Sequence, residues 1–317
     1  MNDFITFGET MLRLSPPGFA RLEGAAALNM TIGGSESNVA VNLARLGKRS
    51  AWFSRLPDNP LGHTALNLIR EHGVDVSQVV WDSEHRMGLY FVEFGQTPRG
   101  IQVWYDRQHS AASHMTPADL PLAAIASARW LHCTGITPAL SASCHASITA
   151  AIAHARQAGV RVSFDVNYRA RLWDAPTAAA ALAPLCQQAD VVFVARRDAV
   201  KLWGAPDDAA ECAKAMQQAW GGAVIVSDGE RGAVITDGTT LAQQPSVPTT
   251  IVDRLGAGDA LAAGVLCRLL EDAPLEDALR FGLALAALAL SVPGDIARVS
   301  RAEVEAVLAN AVDQLKR

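Results

Sequence analysis

The chain has 317 residues, 50% of them hydrophobic, and a formal net charge of −5. That length holds one large domain of about 250–300 residues with a smaller appendage, or two domains, and the charge leaves no basic field to hold a nucleic-acid backbone. The cysteines (Cys133, Cys144, Cys186, Cys212, Cys267) form no CxxC pair and the histidines are scattered, so no zinc spacing exists and free thiols in a reducing cytoplasm are expected.

Met1-Asn2-Asp3-Phe4 lacks the basic start and long apolar run of a signal peptide. Phe4-Ile5-Thr6-Phe7 reads as a strand running into Gly8. From Arg13 to Gly33, with Pro16-Pro17-Gly18 inside, short strands and turns fit best. Apolar residues at Val39, Leu43 and Leu46 predict a helix from Ser37 that stops at Gly47, and Leu61 to Glu71 predicts another. Met87 to Phe94 and Gly100 to Tyr105 are rich in aromatic and β-branched residues, and Thr97-Pro98-Arg99-Gly100 forms the turn of a β-hairpin.

After Met115 strands and helices alternate. Strands are predicted at 130–132, 160–164, 190–194 and 223–227, and helices at 142–158, 178–188 and 208–220. Such alternation predicts a parallel sheet covered on both faces. Residues 233–236 and 240–242 read as an inserted hairpin, and the chain from Asp259 onward as mostly helical. Phe281 to Val292 is too short to span a bilayer and reads as a buried, Ala-rich helix, so no membrane partner is expected. The fold class is α/β: a mainly parallel sheet flanked by helices, with β-rich insertions near 11–33 and 86–113. Those insertions would form a small sheet over the carboxyl ends of the strands, where ligands bind, and act as a lid that excludes water.

Chemistry concentrates in two runs. In Asp253-Arg254-Leu255-Gly256-Ala257-Gly258-Asp259, small residues crowd a turn before a helix. Helix N-terminal N–H groups suit a phosphate, glycines admit close approach, and a carboxylate there can accept a hydroxyl proton. The run reads equally as a Gly-rich turn with Asp259 capping the helix. The second run, Gly33-Gly34-Ser35-Glu36-Ser37-Asn38, again sets glycines before a helix, with Ser35 or Ser37 as a possible N-cap.

Together the two runs, GG-x-x-x-N-x-A-x-x-L-A-x-L-G and D-x-x-GAGD-x-x-x-AG, resemble the signature motifs of the PfkB (ribokinase-like) carbohydrate kinases, in the same order and across essentially the whole chain. The resemblance implies a Rossmann-like ribokinase fold over residues 1–317, a β lid, ATP with magnesium, and transfer to a primary hydroxyl. It implies that Asp259 is the base and that Gly256, Ala257 and Gly258 form the anion hole. Ser227, Asp228, Gly229 and Gly232 resemble a nucleotide-binding loop, though an ordinary hairpin turn fits them too. The runs 131–140 and 164–173 are similar to 2-keto-3-deoxygluconate kinases. By that likeness Asn167 and Arg169 lie near the phosphates, and Gly34, Tyr90, Tyr105, Arg107 and Arg169 meet the sugar acid, which is phosphorylated at its 6-hydroxyl. Arginine suits a carboxylate through its planar fork.

Three positions depart from the pattern. Arg13 stands near where related sugar kinases carry an Asp for sugar hydroxyls; a cation argues for an anionic substrate, while the plainer expectation turns it to solvent. Arg254 replaces a small or hydroxylated residue and would meet the nucleotide phosphates or turn outward. Ala195-Arg196-Arg197-Asp198 replaces an Asn-x-x-Glu motif linked to magnesium, so the metal-coordinating groups are left unassigned and magnesium is expected to ride on ATP and water. Exposed lid edges lead to the expectation of a homo-oligomer through paired lids. The alternatives are a fructokinase-like or keto-deoxygalactonate kinase and a non-catalytic sugar-binding protein on the same scaffold. A dinucleotide oxidoreductase is disfavoured because no GxGxxG follows the first strand.

Overall fold

Apolar runs with no polar alternation need cover on both faces, and they build the large sheet. The structure, a computed structural model, describes residues 2–96 and 98–315, so Met1, Lys316, Arg317 and Thr97 of the expected hairpin turn lie outside the described residues. The chain opens with β1 (Phe4–Phe7), β2 (Met11–Ser15), β3 (Asn29–Gly33), α1 (Ser35–Arg45), β4 (Ser50–Phe53), β5 (Arg55–Pro57), α2 (Pro60–Arg70) and β6 (Val80–Asp82). The lid hairpin follows as β7 (Leu89–Glu93) and β8 (Gln102–Asp106), then α3 (Leu122–Ala126), β9 (Trp130–Thr134), α4 (Ala142–Gln157) and β10 (Arg161–Asp165). Next come α5 (Ala175–Cys186), β11 (Val191–Ala195), α6 (Arg196–Trp203), α7 (Ala209–Trp220), β12 (Ala223–Ser227), β13 (Ala233–Thr236) and β14 (Leu241–Gln244). The last helices are α8 (Ala257–Leu269), α9 (Leu275–Leu290) and α10 (Arg301–Leu315).

The large sheet runs β14-β13-β12-β11-β10-β9-β1-β4 and is parallel from β12 to β4. β13 and β14 form the expected hairpin and extend the sheet as its antiparallel edge. β4 escaped the sequence reading because Ser50-Ala51-Trp52-Phe53 contains no β-branched residue; full burial makes it a strand. From β1 the chain goes first to β4 on one side and later to β9 on the other, so the order reverses beside β1. Ligands of open α/β sheets bind at such a reversal, beyond the carboxyl strand ends.

The two insertions meet in one smaller sheet, ordered β3-β2-β7-β8. Its register aligns Thr31, Arg13, Tyr90 and Tyr105 in one row across four strands. All five cysteines are buried and free. Among the described residues no helix is long and apolar enough to cross a membrane.

α8, which carries Asp259, lies against α9 at a glycine contact. A Cβ on Gly264 would sit 2.6 Å from the Gly282 Cα, too close without moving a backbone. Gly264→Ala is therefore expected to lower unfolding stability by about 1–3 kcal/mol despite the better helix propensity of alanine. Urea unfolding measures this; undiminished stability would show that the two helices separate freely.

Candidate active site

The carboxyl ends of the parallel strands set out a stepped row: Asp165 on β10 is level with Thr134 on β9 and with Phe193 on β11, and Ala195, two residues further along β11, is level with Ser227 on β12. The start of α8 reaches toward this row. Gly256 is the N-cap of α8 in the left-handed region (φ +79), and a Cβ there would lie 1.9 Å from the Asp295 carbonyl oxygen. Two constraints thus demand glycine at that turn. A Cβ on Gly258 would meet no atom within 4 Å, so the first turn of α8 opens onto free space. Its N–H groups are those a helix leaves without partners, and their partial positive charge suits an anion.

Asp259 sits in that turn, 9% exposed. Ser35 Oγ donates to its Oδ1 at 2.6 Å and Asn38 Nδ2 to its Oδ2 at 2.7 Å. Asn167, itself at positive φ, donates from Nδ2 to Ser35 Oγ at 2.7 Å and so links the β10 end to the same chain. Burial pushes the Asp259 carboxyl up to about 6, against the two hydrogen bonds, which favour its ionised form. Its direct partners are neutral donors. Two further carboxylates share this setting. Burial, with the charge of Asp259, raises Asp165 to about 7, and burial raises Glu36 to about 7 against hydroxyls donated by Thr137 and Thr134. Arg169 is exposed, makes no ion pair among the described residues, and acts through space on Asp165, Asp198 and Asp259.

The lid residues lie together on the other side of Gly33-Gly34. Tyr90 is buried, its hydroxyl donating to Asp295 Oδ1 at 2.8 Å, and its ring stacks on Tyr105 at 5.8 Å. The Arg107 guanidinium lies 5.8 Å from the Tyr105 ring centroid, and its Nε donates to Glu9 Oε2 at 2.7 Å. Gly34 is held against the Glu9 carbonyl oxygen, where a Cβ would come within 2.3 Å. The loop after β12 is a different neighbourhood: Asp228 pairs with Arg196 and Arg231, Gly232 is required by close approach to the Gln244 carbonyl, and Gly229 faces open space.

This arrangement could support proton abstraction by a buried carboxylate beside a helix start open to an anion. Residues 1–302 match the pfkB family of carbohydrate kinases. The chain belongs to that family. It is 40% identical to the 2-dehydro-3-deoxygalactonokinase of Haloferax volcanii, covering 96% of each chain, and 33% identical to the 2-dehydro-3-deoxygluconokinase of Bacillus subtilis, covering 93% of this chain and 91% of that one. Its fold superposes on the crystal structure of the 2-dehydro-3-deoxygluconokinase of Thermotoga maritima with a TM-score of 0.91 at 31% identity, covering 98% of this chain and 99% of that one. The protein is a sugar kinase, a phosphotransferase, with the ribokinase-like α/β fold expected from its two motifs.

Within this kinase two sequence expectations change, and Arg254 takes one of the two courses expected of it. Arg13 does not turn to solvent; it is 2% exposed and bridges Asp253 and Asp295. Neither Ser35 nor Ser37 caps α1, because Ser35 serves Asp259 and Ser37 donates to the Gly34 carbonyl while accepting from Thr10. Arg254 turns outward to exposed Glu230 at 3.4 Å. Sequence reasoning left Ser35, Asn38, Glu36, Asp165 and Asp295 without roles at the site. The i, i+3 spacing of Ser35 and Asn38 on α1 was the available signal for two polar groups on one helix face. A cleft of about 1020 Å³ opens between the smaller sheet and the loops around Val252 and Asp295; Asp259 does not line it.

The raised Asp259 pKa has a stability consequence of definite sign. Below the unfolded value, 3.8, the group is protonated in both states and the fold carries no penalty; above about 6 the folded chain must bury an ionised carboxylate. Asp259→Asn removes that cost, so the variant is expected to be more stable by roughly 2–3 kcal/mol at pH 8, and by about half as much at pH 5. Thermal unfolding of both proteins at the two pH values checks it; a gain larger at pH 5 than at pH 8 would contradict the assignment.

Proposed function

We propose that this kinase transfers the γ-phosphoryl group of ATP to the 6-hydroxyl of 2-keto-3-deoxygluconate. The observation that carries the reading is Asp259: a buried carboxylate held only by neutral donors, beside a helix start whose Gly258 is open to a ligand. A base of this kind keeps a proton affinity near its working pH. The hydroxyl proton passes to Asp259, the freed oxygen bonds to the γ-phosphorus, and the bond from that phosphorus to ADP breaks. The Gly256, Ala257 and Gly258 backbone and Arg169 take up the charge on the moving group. Asn167 steadies Ser35, and so the base. Magnesium, when bound with ATP, neutralises the polyphosphate; no cluster of three metal-ligating side chains exists among the described residues, and Asp165 and Asp198 are the nearby carboxylates that its charge would keep ionised. Ser227, Asp228 and Gly229 are taken as the nucleotide loop; Gly232 supports the hairpin under it.

For the acceptor, Tyr105 and Arg107 present a stacked aromatic and a guanidinium on the lid, with Tyr90 behind them and the Gly34 backbone below. Arg107 is 11% exposed in its side chain and already bonded to Glu9, so an acid would share that guanidinium. A second reading, the 4-epimer 2-keto-3-deoxygalactonate, is favoured by the 40% identical relative of that specificity. A lid-to-lid dimer belongs to the same reading, since Met30 on β3 and Trp104 on β8 stay exposed at the sheet's two edge strands.

A coupled assay of ADP release with keto-deoxygluconate, keto-deoxygalactonate, fructose and ribose tests the acceptor. The keto-deoxy acids are expected to exceed both sugars in kcat/KM by about 100-fold or more; a preference for the galactonate acid selects the second reading, and no ATP-dependent product with any of them defeats the kinase reading. Asp259→Asn should lose about 10³-fold or more in kcat with its fold intact. In the parent enzyme kcat should fall as pH drops through about 6, where Asp259 becomes protonated; a flat profile from pH 7 to pH 5 would remove Asp259 from the role of base. Arg107→Lys keeps a cation for Glu9 but loses the fork, and should raise KM for the acid about tenfold with little effect on fructose.

A further inference from the structure

The sequence placed an unexplained arginine in β2, and neither the base nor the acceptor contacts use it. Arg13 is 2% exposed and divides its guanidinium between two acids: Nη1 donates to Asp295 Oδ1 at 2.5 Å, and Nη2 to Asp253 Oδ2 at 2.6 Å. Both acids belong to the turn that precedes α8 or to the loop packed against it. Asp253 is 0% exposed; its Oδ1 accepts the Leu255 N–H at 3.1 Å and its Oδ2 the Gly294 N–H at 3.1 Å, so one carboxylate staples the two loops together. The Asp295 carbonyl oxygen lies where a Cβ of Gly256 would be, 1.9 Å from that position, and its side chain also accepts the Tyr90 hydroxyl. Arg13 and Tyr90 are register partners on adjacent strands of the lid sheet.

We infer that Arg13 is a positioning residue: the cation that binds the lid sheet to the loops holding the anion hole, so that closure of the lid on the acceptor sets the direction of the Gly256–Gly258 N–H groups. The inference rests on the reading of Asp259 and the α8 turn as the phosphoryl-transfer site. Two considerations favour it over a purely stabilising role. A buried ion triad contributes little net stability compared with apolar side chains of the same volume, because three groups must leave water. It does fix relative position, since each carboxylate accepts in a defined direction and the planar fork spans both. Burial works against the charge of Arg13, but Asp295 and Asp253 outweigh it and hold the guanidinium firmly charged, while burial raises Asp295 in spite of Arg13.

The test is whether acceptor binding still reaches the nucleotide when the fork is replaced. Arg13→Lys keeps a cation but cannot bridge both acids; Arg13→Met removes it. The readout is the ratio of dissociation constants of the ATP analogue AMP-PNP, with magnesium, without and with saturating 2-keto-3-deoxygluconate. The parent ratio is expected to be about 5 or greater, and to fall to about 1 in Arg13→Lys. kcat should fall about 10- to 100-fold with KM for the acid changed less than about threefold, because a misplacement of about 1 Å at a transfer site costs on that order. Arg13→Met should lose more; if it does not fold, Arg13→Lys decides alone. A parent ratio near 1, or Arg13→Lys with the parent's ratio and kcat, overturns the inference. Asp259→Asn should keep the ratio while losing turnover, so failure of the base and failure of Arg13 give different results. If the parent turns over another acceptor in place of the keto-deoxygluconate, only the acceptor assignment falls, and the ratio is measured with that acceptor.

Discussion

A carboxylate that is to take a proton near neutral pH has to be buried enough to dislike its charge, yet must not be ion-paired, because a nearby cation would lower its affinity for the proton. Asp259 meets this constraint through Ser35 and Asn38, two neutral donors from the first turn of α1. That choice fixes much of the rest. α1 must start at the same depth as α8, which places Gly34 tight against the Glu9–Thr10 backbone, where no side chain fits. α8 must then be held in place without a salt bridge to Asp259. It is held by its own packing on α9 and by the Asp295 backbone against Gly256.

The charged pairs lie one layer further out. Arg13 is matched by Asp253 and Asp295, and Arg107 by Glu9. Glu9 is itself 3% exposed and accepts the Ser110 hydroxyl as well. Each pair joins the lid to the core: Arg13 and Arg107 come from the insertions, while Asp253, Asp295 and Glu9 flank the core elements. Such pairs are poor sources of stability and good sources of register. The smaller sheet's attachment is therefore directional, which would suit the proposed role of a lid.

The sequence was most legible where local physics and function coincide. The alternating elements from residue 130 onward were readable because buried parallel strands are apolar runs, as in Val191-Val192-Phe193-Val194. The GAGD run could be read because close approach and left-handed backbone leave only glycine at Gly256. β4 and α6 were not readable: one has no β-branched residue, and the other begins within the run read as a divergent Asn-x-x-Glu motif. The harder failure concerned side-chain partners distant in sequence. Arg13 lies 240 residues from Asp253 and 282 from Asp295, and nothing local distinguishes an arginine facing solvent from one facing two buried acids. Asp295 sits in a loop, Pro293-Gly294-Asp295, with no pattern of its own, so its part in the turn could be seen only once the chain was folded.

The same outward displacement of charge bears on how an anionic acceptor is accommodated. Asp259, Asp165 and Glu36 concentrate buried acidic groups at the strand ends, all with raised proton affinity. Bringing in a carboxylate and a triphosphate would add negative charge to a region that already resists it. Arg13 and Arg107 are each committed to acids, whereas Arg169, which acts through space on Asp165, Asp198 and Asp259, makes no ion pair among the described residues. Its exposure leaves it free to move, and its reach covers both the strand ends and the first turn of α8. It acts on the acidic cluster at a distance, and it can change partner without stranding a buried acid. Arg107 lacks that freedom, because leaving Glu9 would strand a buried anion. Under the proposed function the division gives the two arginines different tasks: Arg107 would orient a carboxylate by sharing a fork already fixed in place, and Arg169 would follow the charge as it moves.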